Sequence, residues 1–229
     1  MKLQLALLLL TVLVGAKAAF AQGWLRRLGW FYLTLNFGIV TLAYAARSPR
    51  IWAKQPDGRL SMVRAAVMWP CHALNQAMFR VMLLTTSSRP FDVITPGLFL
   101  GRRLAGAEGG LRPFRAVLDL TAEFTEPPAL RGVEQYLCLP VLDHTPPKPE
   151  QLQGALEFIE AHRQAGPVFV HCAAGHGRSA LVMAAWLLRT GQAPDPDAAM
   201  ARLRQSRPNV ALNPEQRAAL DVFAARLRR

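Results

Sequence analysis

The chain has 229 residues, 52% of them hydrophobic, and a formal net charge of +12. That length suits one ordinary domain with extra segments, and the positive charges flank apolar runs without interleaving with aromatics, which favours a membrane surface over nucleic acid as partner. Three cysteines (Cys71, Cys138, Cys172) cannot all pair with one another and show no C-x-x-C spacing, which argues against a disulfide framework and for a reducing compartment.

The charge is unevenly placed. Residues 1–90 hold 11 of the 27 lysines and arginines and a single acid, Asp57, whereas residues 91–229 hold 16 basic and 14 acidic residues. Composition changes at about the same point. The sequence therefore divides into a basic, apolar membrane-anchoring region (1–90) and a near-neutral globular domain (91–229).

The first element is the apolar run 3–16, LQLALLLLTVLVGA, which has the length of a signal-peptide core and is short for a full span. A retained helix and a cleaved signal both fit it. The second, residues 28–46, has 19 uncharged residues, enough to span, with Trp30, Tyr32 and Tyr44 near its ends. A buried core helix is the alternative, but nothing else in the chain is large enough to enclose a helix apolar on all sides. Over 60–84, Leu60, Val63, Val67, Cys71, Leu74, Met78 and Val81 recur at helical spacing, interrupted by Arg64, His72, Asn75 and Arg80, with Pro70 expected to kink or divide the helix. This reads as an amphipathic element on the membrane or on the globular domain, with a third span as the alternative. Arg47, Arg50, Lys54, Arg59 and Arg64 follow the second run and outnumber Lys17, Arg26 and Arg27 between the runs, which predicts a helical hairpin with the C-terminal domain in the cytoplasm.

From residue 91 short apolar strands (97–101, 116–120, 134–141, 167–172) alternate with helical patterns (149–166, 179–191, 196–207, 214–229). The predicted fold is α/β, a central, mostly parallel sheet flanked by helices.

Residues 171–179 read HCAAGHGRS and lie between the strand at 167–172 and the helix at 179–191. Such a junction, at the carboxyl edge of a parallel sheet, is where these folds bind ligands. Backbone N–H groups of Ala173, Ala174, Gly175, His176 and Gly177 can converge on one anion, assisted by the helix dipole. Gly175 and Gly177 permit close approach, and the fork of Arg178 fits two oxygens of a tetrahedral anion. The same field favours the Cys172 thiolate, a nucleophile aimed at a bound phosphoryl group. His171 would fix the loop through neighbouring backbone, and Ser179 would hydrogen-bond the sulfur and ease its departure.

The run H-C-x5-R-S resembles the signature of the cysteine-dependent protein tyrosine phosphatase superfamily, and the small dual-specificity branch is most similar. ITPGLFLGRR (94–103), VLDLTAEFTEP (117–127) and RPNVALNPEQ (207–216) resemble further segments of that branch, so the likeness covers roughly 92–225. It implies two-step phosphomonoester hydrolysis through a cysteinyl phosphate, with no metal or cofactor. It also implies a general acid on a mobile loop. A carboxyl group after a strand, near the sheet's carboxyl edge, meets the need, and Asp143 in LPVLDHTPPKPEQL is the candidate, with Asp119 second and His144 a neighbour able to assist. Asn213 and Gln216 match the distal segment and can order water or brace the acid loop. Lipid phosphatases of the superfamily that act on inositol rings often carry loop lysines where this chain has Ala173, Ala174 and His176, which weighs against a polyphosphoinositide. The expected activity is that of a membrane-anchored phosphatase for phosphoprotein or phospholipid. A phosphate-binding regulatory protein with weak turnover is the alternative, and a sulfur transferase fits less well because of the five-residue gap to Arg178 and the preceding histidine.

Overall fold

The computed structural model of the chain describes residues 2–87, 89–105, 108, 110 and 114–228. Helices α1 (Lys2–Phe20) and α2 (Trp24–Ala45) form an antiparallel hairpin turned at Gly23, whose φ of 85° suits glycine. At about 1.5 Å per residue they are roughly 28 and 33 Å long, so each is long and apolar enough to cross a bilayer core. Small residues bring them together: Gly15 faces Thr34, Gly38 faces Thr11, and the Thr11 and Thr41 hydroxyls lie 3.1 Å apart. The outer surfaces are apolar and exposed, with Leu9, Val12, Phe31 and Leu42 more than half accessible.

A 3₁₀ turn (Pro49–Trp52) and a bridge between Lys54 and Leu60 lead into α3 (Met62–Val67) and α4 (Trp69–Thr85). The amphipathic element expected over 60–84, with Pro70 to kink or divide it, is two helices. They part at Met68, and Pro70 sits in the first turn of α4, where its missing N–H costs no hydrogen bond. Cys71 and Phe79 of α4 are buried, Phe79 against Phe124 at 5.4 Å between ring centres. Most of the expected apolar stripe points away from protein: Val63, Val67, Leu74, Met78 and Val81 are exposed.

Next come β1 (Phe91–Thr95), β2 (Leu98–Arg102), β3 (Ala116–Thr121), the short α5 (Pro128–Arg131), β4 (Gln135–Val141), α6 (Pro149–His162), β5 (Val168–Cys172), α7 (Arg178–Arg189), α8 (Pro196–Ser206) and α9 (Pro214–Leu227). Among the described residues the sheet has the order β1-β2-β5-β3-β4, parallel except for the β1 edge. This matches the mostly parallel sheet expected and adds β1 as a separate antiparallel strand. Central β5 is buried on both faces, its Val170 level with Leu100 of β2 and Leu118 of β3. Every residue of α7 from Arg178 to Leu187 is buried, since α6, α8 and α9 enclose the helix against the sheet. The other face holds Phe99, Phe114 and Phe169, with Phe114 stacked on Phe169 at 4.6 Å.

A further apolar cluster joins the N-terminal segment to this domain. Val40 and Ala43 of α2, Trp52, Met68 and Cys71 pack with Ala122 and Leu142, which follow β3 and β4. Residues of both loops beside the 171–179 motif are thus covered by the N-terminal region.

Candidate active site

Cys172 ends β5 and Arg178 opens α7, so residues 173–177 make the turn from strand to helix. The loop's carbonyl groups are drawn outward. The Arg103 amide donates to Cys172 O (2.7 Å) and Ala173 O (3.1 Å), and the Ala211 amide to His176 O (3.0 Å). Buried Arg207 donates to Ala174 O (3.2 Å) and Gly175 O (2.9 Å) while its Nη1 pairs with Asp92 (2.9 Å). With the oxygens held outside, the N–H groups are free to face the concavity. Gly175 has φ 74°, and a Cβ there would collide with the backbone of Gly101, so this position needs glycine twice over.

The Cys172 sulfur lies on the floor of this loop. It accepts from the Gly175 amide at 3.3 Å and lies 3.2 Å from the Ser179 hydroxyl. His171 points away from the loop, fully buried, stacked on Phe169 at 5.0 Å, with Nδ1 3.4 Å from the Cys172 carbonyl. Burial, with Lys54 and Arg103 nearby, pushes its pKa down to about 4 against the pull of Asp119, so the ring is neutral at physiological pH.

Arg178 is buried and shared. Its Nη1 and Nη2 grip both oxygens of Glu123 at 3.0 and 2.8 Å, Nη1 also donates to Val141 O (2.8 Å), and Nη2 lies 3.1 Å from Asp143 Oδ1. Nε is buried and unpartnered. Burial works against the guanidinium charge, but Glu123 and Asp143 outweigh it and hold its pKa well above the ordinary range. Asp143 follows β4, about half exposed. Burial raises its carboxyl, and Arg178 and then His144 more than offset that, so it lies below the usual carboxylate range. Asn213 Nδ2 donates to His144 O (2.6 Å) and Gln216 Nε2 to Thr145 O (3.3 Å). The same two side chains cap α9, so that helix braces the loop that carries Asp143.

Asp119, the second candidate acid, lies elsewhere. Its side chain is fully buried behind β5, where Lys54 Nζ donates to Oδ2 at 2.5 Å and Tyr136 Oη at 2.7 Å. Burial alone would raise its pKa, but Lys54 and His171 hold it far below the carboxylate range. It has no path to a leaving group. Glu126 sits beside it, its pKa pushed up to about 8 by burial and by the Asp119 charge. Asp119, Glu126 and His171 could converge on a cation, but Lys54 and Arg103 already bring positive charge to that point.

Sequence reasoning missed Glu123, Lys54, Arg103 and Arg207. Glu123 carried a usable signal, a carboxylate just past a predicted strand, but its partner is 55 positions away.

The model of the dual specificity phosphatase catalytic domain matches residues 111–225. Among solved structures, Tk-PTP in its active form is 30% identical, with 60% of this chain and 97% of that chain covered and a TM-score of 0.55. A mouse putative dual specificity phosphatase complexed with zinc tungstate is 27% identical, covering 63% of this chain and 92% of its own at a TM-score of 0.54. PTPMT1 in complex with PI(5)P shares the fold at 21% identity, 61% and 97% coverage and a TM-score of 0.54. No curated protein sequence matches the chain.

Proposed function

The chain belongs to the dual specificity phosphatase catalytic-domain family and is a cysteine-based phosphatase, and from that premise we propose that it is a membrane-anchored phosphomonoesterase working through a phosphoryl-Cys172 intermediate on phosphoprotein or phospholipid. The observation that carries the reading is the Cys172 sulfur on the floor of a loop whose carbonyls are all tied outward, beside an arginine with an unpartnered Nε.

In the first step the phosphate oxygens take the loop N–H groups and the Nε–Nη2 edge of Arg178, the edge that Glu123 leaves open. Asp143 is displaced from Nη2. The Cys172 thiolate forms the S–P bond as the ester P–O bond breaks, and Asp143 gives its proton to the departing oxygen. In the second step water attacks phosphorus, its proton passes to Asp143, and the S–P bond breaks. The Ser179 hydroxyl, 3.2 Å from the sulfur, stabilises the leaving thiolate. Glu123 and the Val141 carbonyl keep the guanidinium oriented in both steps.

Anchoring is supported by the two span-length helices, whose outer surfaces are exposed and apolar. With α1 and α2 as an inserted hairpin, the excess of lysines and arginines from Arg47 to Arg64 favours a cytoplasmic catalytic side. The exposed stripe of α3 and α4 would lie in the interface.

Cys172→Ser tests the chemistry. Turnover of p-nitrophenyl phosphate should fall below detection while vanadate binding survives in part, because the cradle is backbone. Turnover within tenfold of wild type would remove Cys172 as nucleophile.

A further inference from the structure

One cleft opens over the catalytic loop, and the N-terminal region walls it. This hollow of about 290 Å³ is lined by Ala173, Ala174, Glu123 and Asp143, with Tyr44 of α2 close to both carboxylates, and also by Leu7 of α1 and Phe37 and Val40 of α2. Leu74 and Met78 of α4 line it too, and both remain exposed. Phe37 lies eight residues before the end of α2, about 12 Å along the helix axis. The space above the nucleophile therefore continues along a helix long enough to span.

We infer that the substrate is a lipid carrying a single phosphomonoester, drawn from the plane of the membrane with its phosphate on the loop and its acyl chains along α2 and α4. The inference rests on the phosphomonoesterase reading above. The cleft is too small for a whole acyl chain, so the chains leave past Leu74 and Met78, which face outward. Its charge selects the headgroup. No lysine or arginine is among its lining residues; the polar ones include carboxylates Glu123 and Asp143, His144, and Asn75, whose buried Nδ2 has no partner. A second phosphate would face carboxylates, whereas a hydroxyl or ester oxygen can accept from Asn75. A phosphopeptide would have to enter a cleft that α1 and α2 wall with apolar side chains on one side.

The full-length chain in mixed phosphatidylcholine–detergent micelles can be given glycerol 3-phosphate, dioleoyl phosphatidate, a phosphatidylinositol bisphosphate, a phosphotyrosine peptide and p-nitrophenyl phosphate. Glycerol 3-phosphate and phosphatidate share an alkyl leaving group, so their ratio reports the acyl chains, and its change on substituting Met78 reports their contacts in the cleft. The expected kcat/KM for phosphatidate is about 100-fold above glycerol 3-phosphate, because the lipid and the anchored enzyme share one micelle, which raises the effective concentration of the phosphate at the loop. It should also exceed the bisphosphate and the peptide, although the peptide has the better leaving group. Met78→Glu, at an exposed position that tolerates charge, should bring the phosphatidate-to-glycerol-phosphate ratio down at least tenfold, and Met78→Leu should keep it. A ratio near one in wild type, a faster phosphopeptide or bisphosphate, or a ratio unmoved by Met78→Glu would overturn the lipid assignment while p-nitrophenyl phosphate turnover left the phosphatase reading standing. No turnover of any probe would overturn both.

Discussion

Lys54 Nζ lies 2.5 Å from Asp119 Oδ2 and 2.6 Å from Thr121 Oγ1, and the side chains of both charged partners have no exposure to solvent. The lysine arrives from the segment that follows the hairpin; the aspartate belongs to β3, beside β5. The pair thus crosses the boundary that composition places near residue 90, and the sheet beneath the catalytic loop is completed by a residue from the N-terminal region.

Lys54→Met should leave the Asp119 charge buried without its counter-charge, held only by hydrogen bonds from Tyr136 and Thr121, a loss of about 3–5 kcal/mol. For a chain of this size that is roughly 10 °C in Tm, measured by thermal unfolding in detergent. Adding Asp119→Asn should recover part of the loss, because the stranded charge goes with it. Equal melting of Lys54→Met and wild type would show the pair to be dispensable. A truncation starting at residue 90 lacks Lys54 and should melt lower for the same reason.

Glu126 sets a pH dependence whose sign follows from its raised pKa. Folding lifts the carboxyl from its ordinary value to about 8, so the folded state holds a proton that the unfolded state has released, and stability falls as pH rises across that interval. His171, with its pKa lowered to about 4, acts oppositely: below about 6.5 the unfolded chain takes up a proton that the folded one refuses. The two oppose one another in acid, and between roughly pH 6.5 and 8 Glu126 acts alone. Tm should decline across that window in wild type and stay level in Glu126→Gln; a decline of equal slope in both would assign it to another group.

Asp143→Asn should slow the first chemical step by roughly 100–10,000-fold, as loss of a general acid does. The deficit should be larger for alkyl phosphates than for p-nitrophenyl phosphate, whose leaving group needs little protonation. In the free protein Arg178 holds this carboxyl low, and a bound phosphate takes that arginine away. The basic limb of kcat should therefore lie at higher pH than that of kcat/KM, and Asp143→Asn should abolish it. Equal losses on both substrates would point away from Asp143.

The hairpin makes a prediction about extraction. Full-length protein should remain in membranes through high salt and alkaline carbonate and leave with detergent, and protease should reach the catalytic domain only from the cytoplasmic side. Release by carbonate would refute the spanning helices.

The strand–loop–helix junction around Cys172 was legible because local signals coincide there: an apolar run, two glycines and a following helix within a few residues. The groups that shape the junction were not, because each comes from far along the chain. Glu123 is 55 positions from Arg178, and Lys54 is 65 from Asp119. β1 escaped notice because five residues with a buried acid, Asp92, and an irregular register give no clear alternation. The 60–84 stripe was visible as a pattern, but periodicity alone does not say whether a stripe faces protein or lipid, and the side that packs on Phe124 is the one carrying Phe79.

Arg207 holds the carbonyls of Ala174 and Gly175 from 33 and 32 positions downstream. During synthesis, Cys172 therefore emerges well before the residue that shapes its surroundings. A nascent chain stalled short of Arg207 lacks the hydrogen bonds that hold those two carbonyls outward, so the N–H groups of the Cys172 loop are not yet gathered on one point. On the proposed mechanism phosphate can be engaged only once α8 has been made and Arg207, which follows it, has docked, so the loop stays idle for as long as the domain is incomplete.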